Sequence, residues 1–354
     1  MSSNVGLLET RRRLEDAAAQ WLWFALPIKA ERVGYGAGPL TWLRQRRHKD
    51  LRRAVHICLL DHMPEGGMQS RFSEFWINER SRVCCASLNG PVEEADVVWV
   101  YCKDPIPPGK KGELLQALDR TRPGVPVVNH PEVYNAYHEE GTFAALAEAG
   151  VGVPRTNLGQ GDVGRTPAVY KTEGGHGHTP KIFSRYEGHK PGFRAFEFVD
   201  SRGADGLYRR YRAYYLLGAV QPGMVLFSDR QNVLVKTMKR RETYEMTPGE
   251  AWQIRLIART LGLGYFAVDY LRRREDDSPV FVDINVYPGV RSKMGAESRK
   301  LGYYGDWYSP ETRSRLALGD PSTRPFWDVF DEVMQAFTSG QSTCYHGEPY
   351  SRKV

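Results

Sequence analysis

The most constraining stretch of this chain is Gly264-Tyr-Phe-Ala-Val-Asp-Tyr-Leu271, a polar link over 272–278, then Pro279-Val-Phe-Val-Asp-Ile-Asn-Val-Tyr-Pro-Gly289. Both apolar runs are rich in Val, Ile, Phe and Tyr and alternate in facing, so they predict two strands joined by a loop. On the first, Tyr265, Ala267, Asp269 and Leu271 share a face. On the second, Phe281, Asp283 and Asn285 are expected on one face and Val280, Val282, Ile284 and Val286 on the other. Asp283 and Asn285 then stand about 7 Å apart along the strand. Antiparallel pairing brings Asp269 beside them. Two carboxylates and an amide oxygen on one side of a sheet are costly to bury unless something positive neutralises them. A Mg²⁺ ion suits that donor set, because it takes a few carboxylate oxygens plus substrate phosphates.

Upstream, Ala54-Val-His-Ile-Cys-Leu-Leu60, Val97-Val-Trp-Val-Tyr101 and 125–128 read as buried strands, with helices over 71–79 and 111–121. Strands alternating with helices predict an open, largely parallel sheet. No Gly-x-Gly-x-x-Gly follows the first strand, which argues against a dinucleotide fold. A helix is predicted over 132–150, with Tyr134, Tyr137, Phe143, Leu146 and Ala149 on its apolar side and Gly150 as its stop.

Next, a strand carries Lys171 into a turn holding Gly174, Gly175 and Gly177, and a second strand returns through Lys181-Ile-Phe183. Glycines in such a turn let backbone N–H groups approach phosphate oxygens, and Lys171 adds a point charge. Further strands are predicted over 194–200, 209–218, 224–228 and 232–236. Glu197, between Phe196 and Phe198, is an odd carboxylate unless it accepts a hydrogen bond. Thr247-Pro-Gly-Glu250 is a capping box, opening a helix that stops at Gly262. A last amphipathic helix is expected over 326–337.

Composition adds limits. With 41% hydrophobic and 26% charged residues the chain reads as globular. Its five cysteines, Cys58, Cys84, Cys85, Cys102 and Cys344, show neither metal-ligand nor disulfide spacing, which fits a reducing, cytoplasmic setting. The longest apolar run, Trp21 to Ile28, falls short of the ~20 residues a membrane span needs. Net charge is +7, and six basic residues crowd Arg44-Gln-Arg-Arg-His-Lys-Asp-Leu-Arg-Arg53. That run lacks interleaved aromatics for base stacking, so a solvated face or an anion contact is expected rather than nucleic acid.

Together these segments resemble the ATP-grasp superfamily. Asn129-His-Pro-Glu132 with the helix to Gly150 and Pro154 is similar to the link out of that family's first lobe. The Lys171 strand and its glycine turn resemble the loop closing over ATP phosphates, Glu197-Phe-Val199 the hinge strand, and Asp269, Asp283, Asn285 and Pro288-Gly289 the metal-binding strand pair. The resemblance implies an α/β fold: an open parallel-sheet lobe (54–130) followed by two α+β lobes clasping a nucleotide (131–338), with a basic helical extension (1–53) and a tail (339–354). It implies that Phe198 and Val199 offer backbone groups to adenine, that Glu197 accepts from its amine, and that Asp200 or Asp205 reaches the ribose. It further implies Lys171 on the phosphates and Mg²⁺, or Mn²⁺, on Asp269, Asp283 and Asn285.

The implied reaction joins a small-molecule or peptide carboxylate to an amine through an acyl phosphate. Arg212 and Arg291 are expected at the transferred phosphate or substrate carboxylate. Two departures stand out. His138, in Tyr137-His-Glu139, occupies the region where many members carry a phosphate-binding Lys, and His176 and His178 sit in the glycine turn. Ala267-Val268-Asp269 lacks the Arg that D-alanine ligases place two residues before Asp, which points to the peptide- and glutamate-ligase branch. Two other outcomes keep the fold: a kinase acting on a hydroxyl, or a nucleotide-binding partner module without turnover. The sequence does not set the oligomeric state; dimers are common among soluble enzymes, so a homodimer is one possible form.

Overall fold

The computed structural model describes residues 54–64, 66–67, 69–70, 73–74, 77–78, 81–172, 181–234, 237–288 and 326–340. The N-terminal basic run, the glycine turn with its two histidines, Gly289 and Arg291 lie outside them. Strands β1 (Val55–Leu60), β2 (Cys84–Leu88), β3 (Val97–Val100) and β4 (Val127–Val128) form a parallel sheet in the order β2-β1-β3-β4. Nearly every residue of β1 and β3 is buried, as both-face coverage of a parallel sheet demands. Helix α1 (Pro108–Leu118) leads from β3 towards β4, and Ser73, Glu74, Ile77 and Asn78 are helical between β1 and β2.

Helices α2 (Pro131–Tyr134) and α3 (Thr142–Glu148) replace the single helix expected over 132–150. A 3-10 turn at Ala136–His138 separates them, and Gly141 adopts a left-handed conformation just before α3. The apolar spacing survives this break: Tyr134, Phe143 and Leu146 are all buried.

Two antiparallel sheets follow. Strands β5 (Pro167–Thr172), β6 (Lys181–Arg185) and β7 (Phe193–Glu197) make a small leaf in the order β6-β5-β7. Strands β8 (Tyr208–Leu216), β9 (Ala219–Ser228), β10 (Arg240–Glu242), β11 (Tyr265–Arg272) and β12 (Pro279–Asn285) make a larger one, in the order β10-β9-β8-β11-β12. The strand expected over 232–236 is absent from Asn232 to Leu234; the polypeptide instead returns as the charged edge strand β10. Arg and Glu on an edge strand discourage pairing with another chain, and they also hide the strand from hydropathy.

Helix α4 (Pro248–Leu261) packs Ile254, Ile257 and Leu261 on the Tyr215, Phe266 and Val268 face of the larger sheet. Each such side chain contributes about 1.5–3 kcal/mol when fully buried. The capping box is present: the Thr247 hydroxyl accepts from Glu250 N–H at 3.2 Å, and Glu250 accepts from Thr247 N–H at 2.7 Å. Glu250 also takes Arg272 of β11 through two bonds of 2.7 and 3.0 Å, fastening the helix start to its sheet. Gly262 ends the helix at φ +69°, where a side chain would be strained.

The opposite face carries Tyr214, Tyr265 and Ala267 into a second core with Ile57, Leu59 and Trp99 of the parallel sheet. Helix α5 (Phe326–Thr338) completes it with Phe330 and Met334, and its Asp331 accepts from Ser81 and the Arg82 N–H. Among the described residues no helix is long and apolar enough to cross a membrane.

Asn129 is the main polar clasp between these layers. Its side-chain oxygen accepts from the N–H groups of Gly264 and Tyr265 at 2.8 and 3.0 Å, and its amide donates to the Tyr265 carbonyl at 2.7 Å. It is 1% exposed and holds φ +57°, a conformation Asn tolerates better than most residues. Asn129→Ala leaves three buried backbone groups unpaired and lowers stability by about 2–4 kcal/mol. Urea denaturation should show a reduced midpoint at unchanged slope.

Candidate active site

The central row of the larger sheet runs Arg212, Asp269, Asp283, each directly opposite the next. Residues opposite one another across a sheet share a face. Arg212 donates from Nε and from a terminal nitrogen to the two Asp269 oxygens at 2.7 and 3.0 Å, and Arg210 stands 3.4 Å from the second. Asp269 is 3% exposed. Burial alone would raise its carboxyl, but Arg210 and Arg212 outweigh that and hold it at about 2.

Asp283 accepts from the Tyr137 hydroxyl at 2.8 Å. Burial, then the neighbouring Asp283, keep that phenol protonated far past its ordinary range. The Asn285 oxygen accepts from the Tyr287 N–H at 2.9 Å.

Two β-bulges flank this row. On β12 the pairing slips between Asp269–Asp283 and Tyr270–Phe281, leaving Val282 as the extra residue. Strict alternation is therefore broken, and Phe281 does not share the face of Asp283 and Asn285. It packs with Tyr270 and Ile284 in the core, while Val282 lines the cleft. On β9 the slip beside Arg212 makes Gly223 the extra residue. A Cβ there would meet the Arg212 carbonyl oxygen at 2.8 Å. Bulges of this kind re-aim side chains next to functional sites.

Beside this row, the small leaf and the larger sheet bound a cleft of about 610 Å³, counted out to its open mouth. Val169, Phe183 and Phe196 line one wall, Leu271 and Val282 the other, and Lys171, Lys181 and Arg210 project between them. Lys171 pairs directly opposite both Lys181 and Arg194. Like charges so placed are unfavourable in a sheet. Lys171 donates to the Val282 carbonyl and lies 4.8 Å over the Phe196 ring. Burial, opposed by Asp283 and reinforced by Lys181, brings its ammonium down to about 8.

Glu197, Phe198 and Val199 form the rim where the two leaves meet. The Phe198 N–H already donates to the Pro167 carbonyl at 2.9 Å, so of the two expected hinge donors it is engaged within the protein. Glu197 has Arg273 3.9 Å from its carboxylate. Asp200 is gripped by Arg202 at 2.7 Å, and Asp205 caps its own turn while pairing with Arg209 and Arg240 at 3.0 and 3.3 Å. Asp205 is thus placed in the turn before β8, away from the cleft walls, since the guanidiniums that satisfy it hold it on the sheet edge. Arg210 and Lys181 were not singled out by sequence reasoning. Arg210 could have been, because it lies two residues from Arg212 on the same strand face; Lys181 needed the register opposite Lys171.

A hard divalent cation needs oxygen donors. Among the described residues no group of three or more His, Cys, Asp or Glu could hold one. Asp283 and Asn285, two residues apart on β12 and adjoining Asp269, fit such an ion in donor type, although both Asp269 oxygens are held by guanidiniums.

No protein-family model and no curated protein matches the sequence. Solved structures do. A structure of the ATP-grasp ligase PsnB complexed with minimal precursor is 13% identical, with a TM-score of 0.49 over 80% of this chain and 99% of that one. A D-alanine–D-alanine ligase from Bacillus anthracis complexed with ATP is 11% identical, with a TM-score of 0.49 over 81% and 99%. The macrocyclase MdnC from Microcystis aeruginosa MRC, bound with precursor peptide MdnA, is 11% identical, with a TM-score of 0.42 over 65% and 92%.

Arg212→Met strips Asp269 of its bidentate partner and costs about 2–4 kcal/mol at pH 7. Above the usual carboxylate range the variant buries a charge that Arg210 and, more weakly, Lys181 still oppose, but without its bidentate partner. Below it, Asp269 is protonated and the penalty shrinks. Denaturation at pH 7 and pH 4 should show the gap from wild type closing on acidification.

Proposed function

We propose that this chain is an ATP-dependent ligase that joins a carboxylate to an amine through an acyl phosphate. The observation that carries the reading is the cleft itself: a slot with apolar walls into which Lys171, Lys181 and Arg210 project, with Arg210 also against Asp269 and Lys171 close to Asp283. A ligand with a planar ring at one end and several negative charges at the other satisfies both halves, and ATP has that form. The same cations leave the cleft with an excess of positive charge that a polyanion relieves.

In this reading the adenine lies between Phe183 and Phe196 on one side and Leu271 and Val282 on the other. Glu197 accepts from its amine, and the Val199 backbone takes the ring edge. Lys171, Lys181 and Arg210 hold the phosphates. Asp283 and Asn285, with Asp269, are the residues that would hold Mg²⁺, which supplies charge neutralisation along the triphosphate.

A substrate carboxylate attacks the γ-phosphate, ADP leaves, and the amine then displaces phosphate from the acyl phosphate. The barrier is the approach of one anion to another. Side chains fixed before the reaction lower it by aligning the attacking oxygen and by opposing the charge that builds up. Cytoplasmic location and amino-acid or peptide substrates complete the proposal.

Asp283→Asn is expected to abolish ADP formation and leave the fold intact, because the amide oxygen can still accept from Tyr137. Wild-type turnover in that variant, at an unchanged melting temperature, removes the reading. An amine-dependent ADP release with a new amide mass supports ligation; a stable phosphorylated product without amine assigns the cleft to a kinase.

Lys171 gives a pH test. Bound polyanion favours its charged form, yet its ammonium titrates at about 8 in the free protein. Above that pH, binding must take up a proton. Affinity for a non-hydrolysable ATP analogue should therefore fall between pH 7 and 9, by up to roughly tenfold per unit above 8. In Lys171→Ala, calorimetry should find weaker binding that no longer depends on pH over this interval.

A further inference from the structure

We infer that Arg212 makes the cleft selective for a metal–polyphosphate complex over a free divalent cation, by occupying Asp269 until phosphate arrives. The inference rests on the proposed nucleotide reading for its ligand and on the ion-pair geometry for its mechanism. Asp269 is the inner member of the oxygen row, and both its oxygens are taken, by two atoms of Arg212 and by Arg210 at 3.4 Å. Arg212 is not locked in place by depth: its side chain is 31% exposed against 3% for Asp269. Its partly exposed guanidinium is the member of the pair with room to exchange partners, whereas the buried carboxylate sits on a central strand.

A bare cation entering this row meets Arg212 and Arg210 already on Asp269, with Lys171 close enough to feel both Asp269 and Asp283; Lys171, Lys181 and Arg210 also line the adjoining cleft, beside Glu197. It would have to displace a bidentate guanidinium and then sit beside it. A polyphosphate carrying its metal changes the exchange. Arg212 would exchange Asp269 for a phosphate oxygen, and the carboxylate it leaves would be open to hold the metal. Every charge keeps a partner throughout, and the guanidinium fork suits phosphate as well as carboxylate. Arg212 is thus a positioning residue in the free protein, and its change of partner orders the events: metal with nucleotide, not metal first.

Electron paramagnetic resonance of Mn²⁺ tests this without catalysis. Wild-type protein alone should bind Mn²⁺ weakly. Arg212→Met, with Asp269 freed on one side, should bind it on the order of tenfold more tightly. Adding Asp283→Asn to that variant should abolish the gain, which places the ion at this row. Because Arg212→Met can prove too unstable, Arg212→Lys provides the second measurement: it keeps the charge but cannot hold both oxygens, and an intermediate Mn²⁺ affinity is expected. Equal Mn²⁺ affinity in wild type and in whichever folded variant is measured overturns the inference. So does wild-type binding of Mn²⁺ as tight without a non-hydrolysable ATP analogue as with it. If wild type binds no such analogue at all, the nucleotide reading fails, and the metal-only comparison of wild type with the Arg212 variants still decides the role of Arg212.

Discussion

The buried pair of Arg212 and Asp269 is the constraint on which the cleft depends. A carboxylate 3% exposed in the middle of a five-stranded sheet is tolerable only with a cation fixed against it. Neighbouring strands must therefore be in one register, with Arg212 opposite Asp269 and Asp283 beyond. A slip of one residue in β11 alone would send Asp269 into the apolar core under α4. The charge row and the core are thus two faces of one decision about strand alignment. The bulges at Gly223 and Val282 adjust the aim of this row while the hydrophobic face stays filled.

Across the cleft the small leaf repeats the logic with the opposite sign. Arg194, Lys171 and Lys181 stand side by side, an arrangement that contributes nothing to the stability of the leaf. The lowered Lys171 ammonium records first its burial and only then the neighbouring Lys181. Strain of this kind gathers where a ligand is to be bound.

Much of this was readable from the amino acids. The β11 and β12 strands and the nearness of Asp283 and Asn285 follow from alternation; alternation leaves the sense of pairing open, and it is the antiparallel register that brings Asp269 beside Asp283. The ends of α4 follow from its capping box and Gly262. What escaped has physical reasons. Val282 is one residue too many for period-2 counting, so Phe281 was set on the wrong face. The helix expected over 132–150 keeps apolar spacing through a 3-10 turn, and spacing alone cannot reveal a break. Cys84–Leu88 is short and carries small residues in place of the β-branched and aromatic ones that mark a strand, yet it completes the parallel sheet. Asn129 looked like part of a link; its clasp on Gly264 and Tyr265 spans more than a hundred residues of chain, and no local pattern encodes it.

That clasp also divides the molecule mechanically. Asn129, the shared aromatic core around Trp99 and Tyr265, and the anchorage of α5 weld the parallel sheet to the larger antiparallel one. The small leaf has a core of its own in Ala168, Tyr170 and Tyr186, and its chain passes to the larger sheet through the short rim at Glu197 to Ser201. The chain is thus built as two parts of unequal size: the oxygen row belongs to the welded one, and the small leaf meets it through that rim and through the Lys171 bond to the Val282 carbonyl.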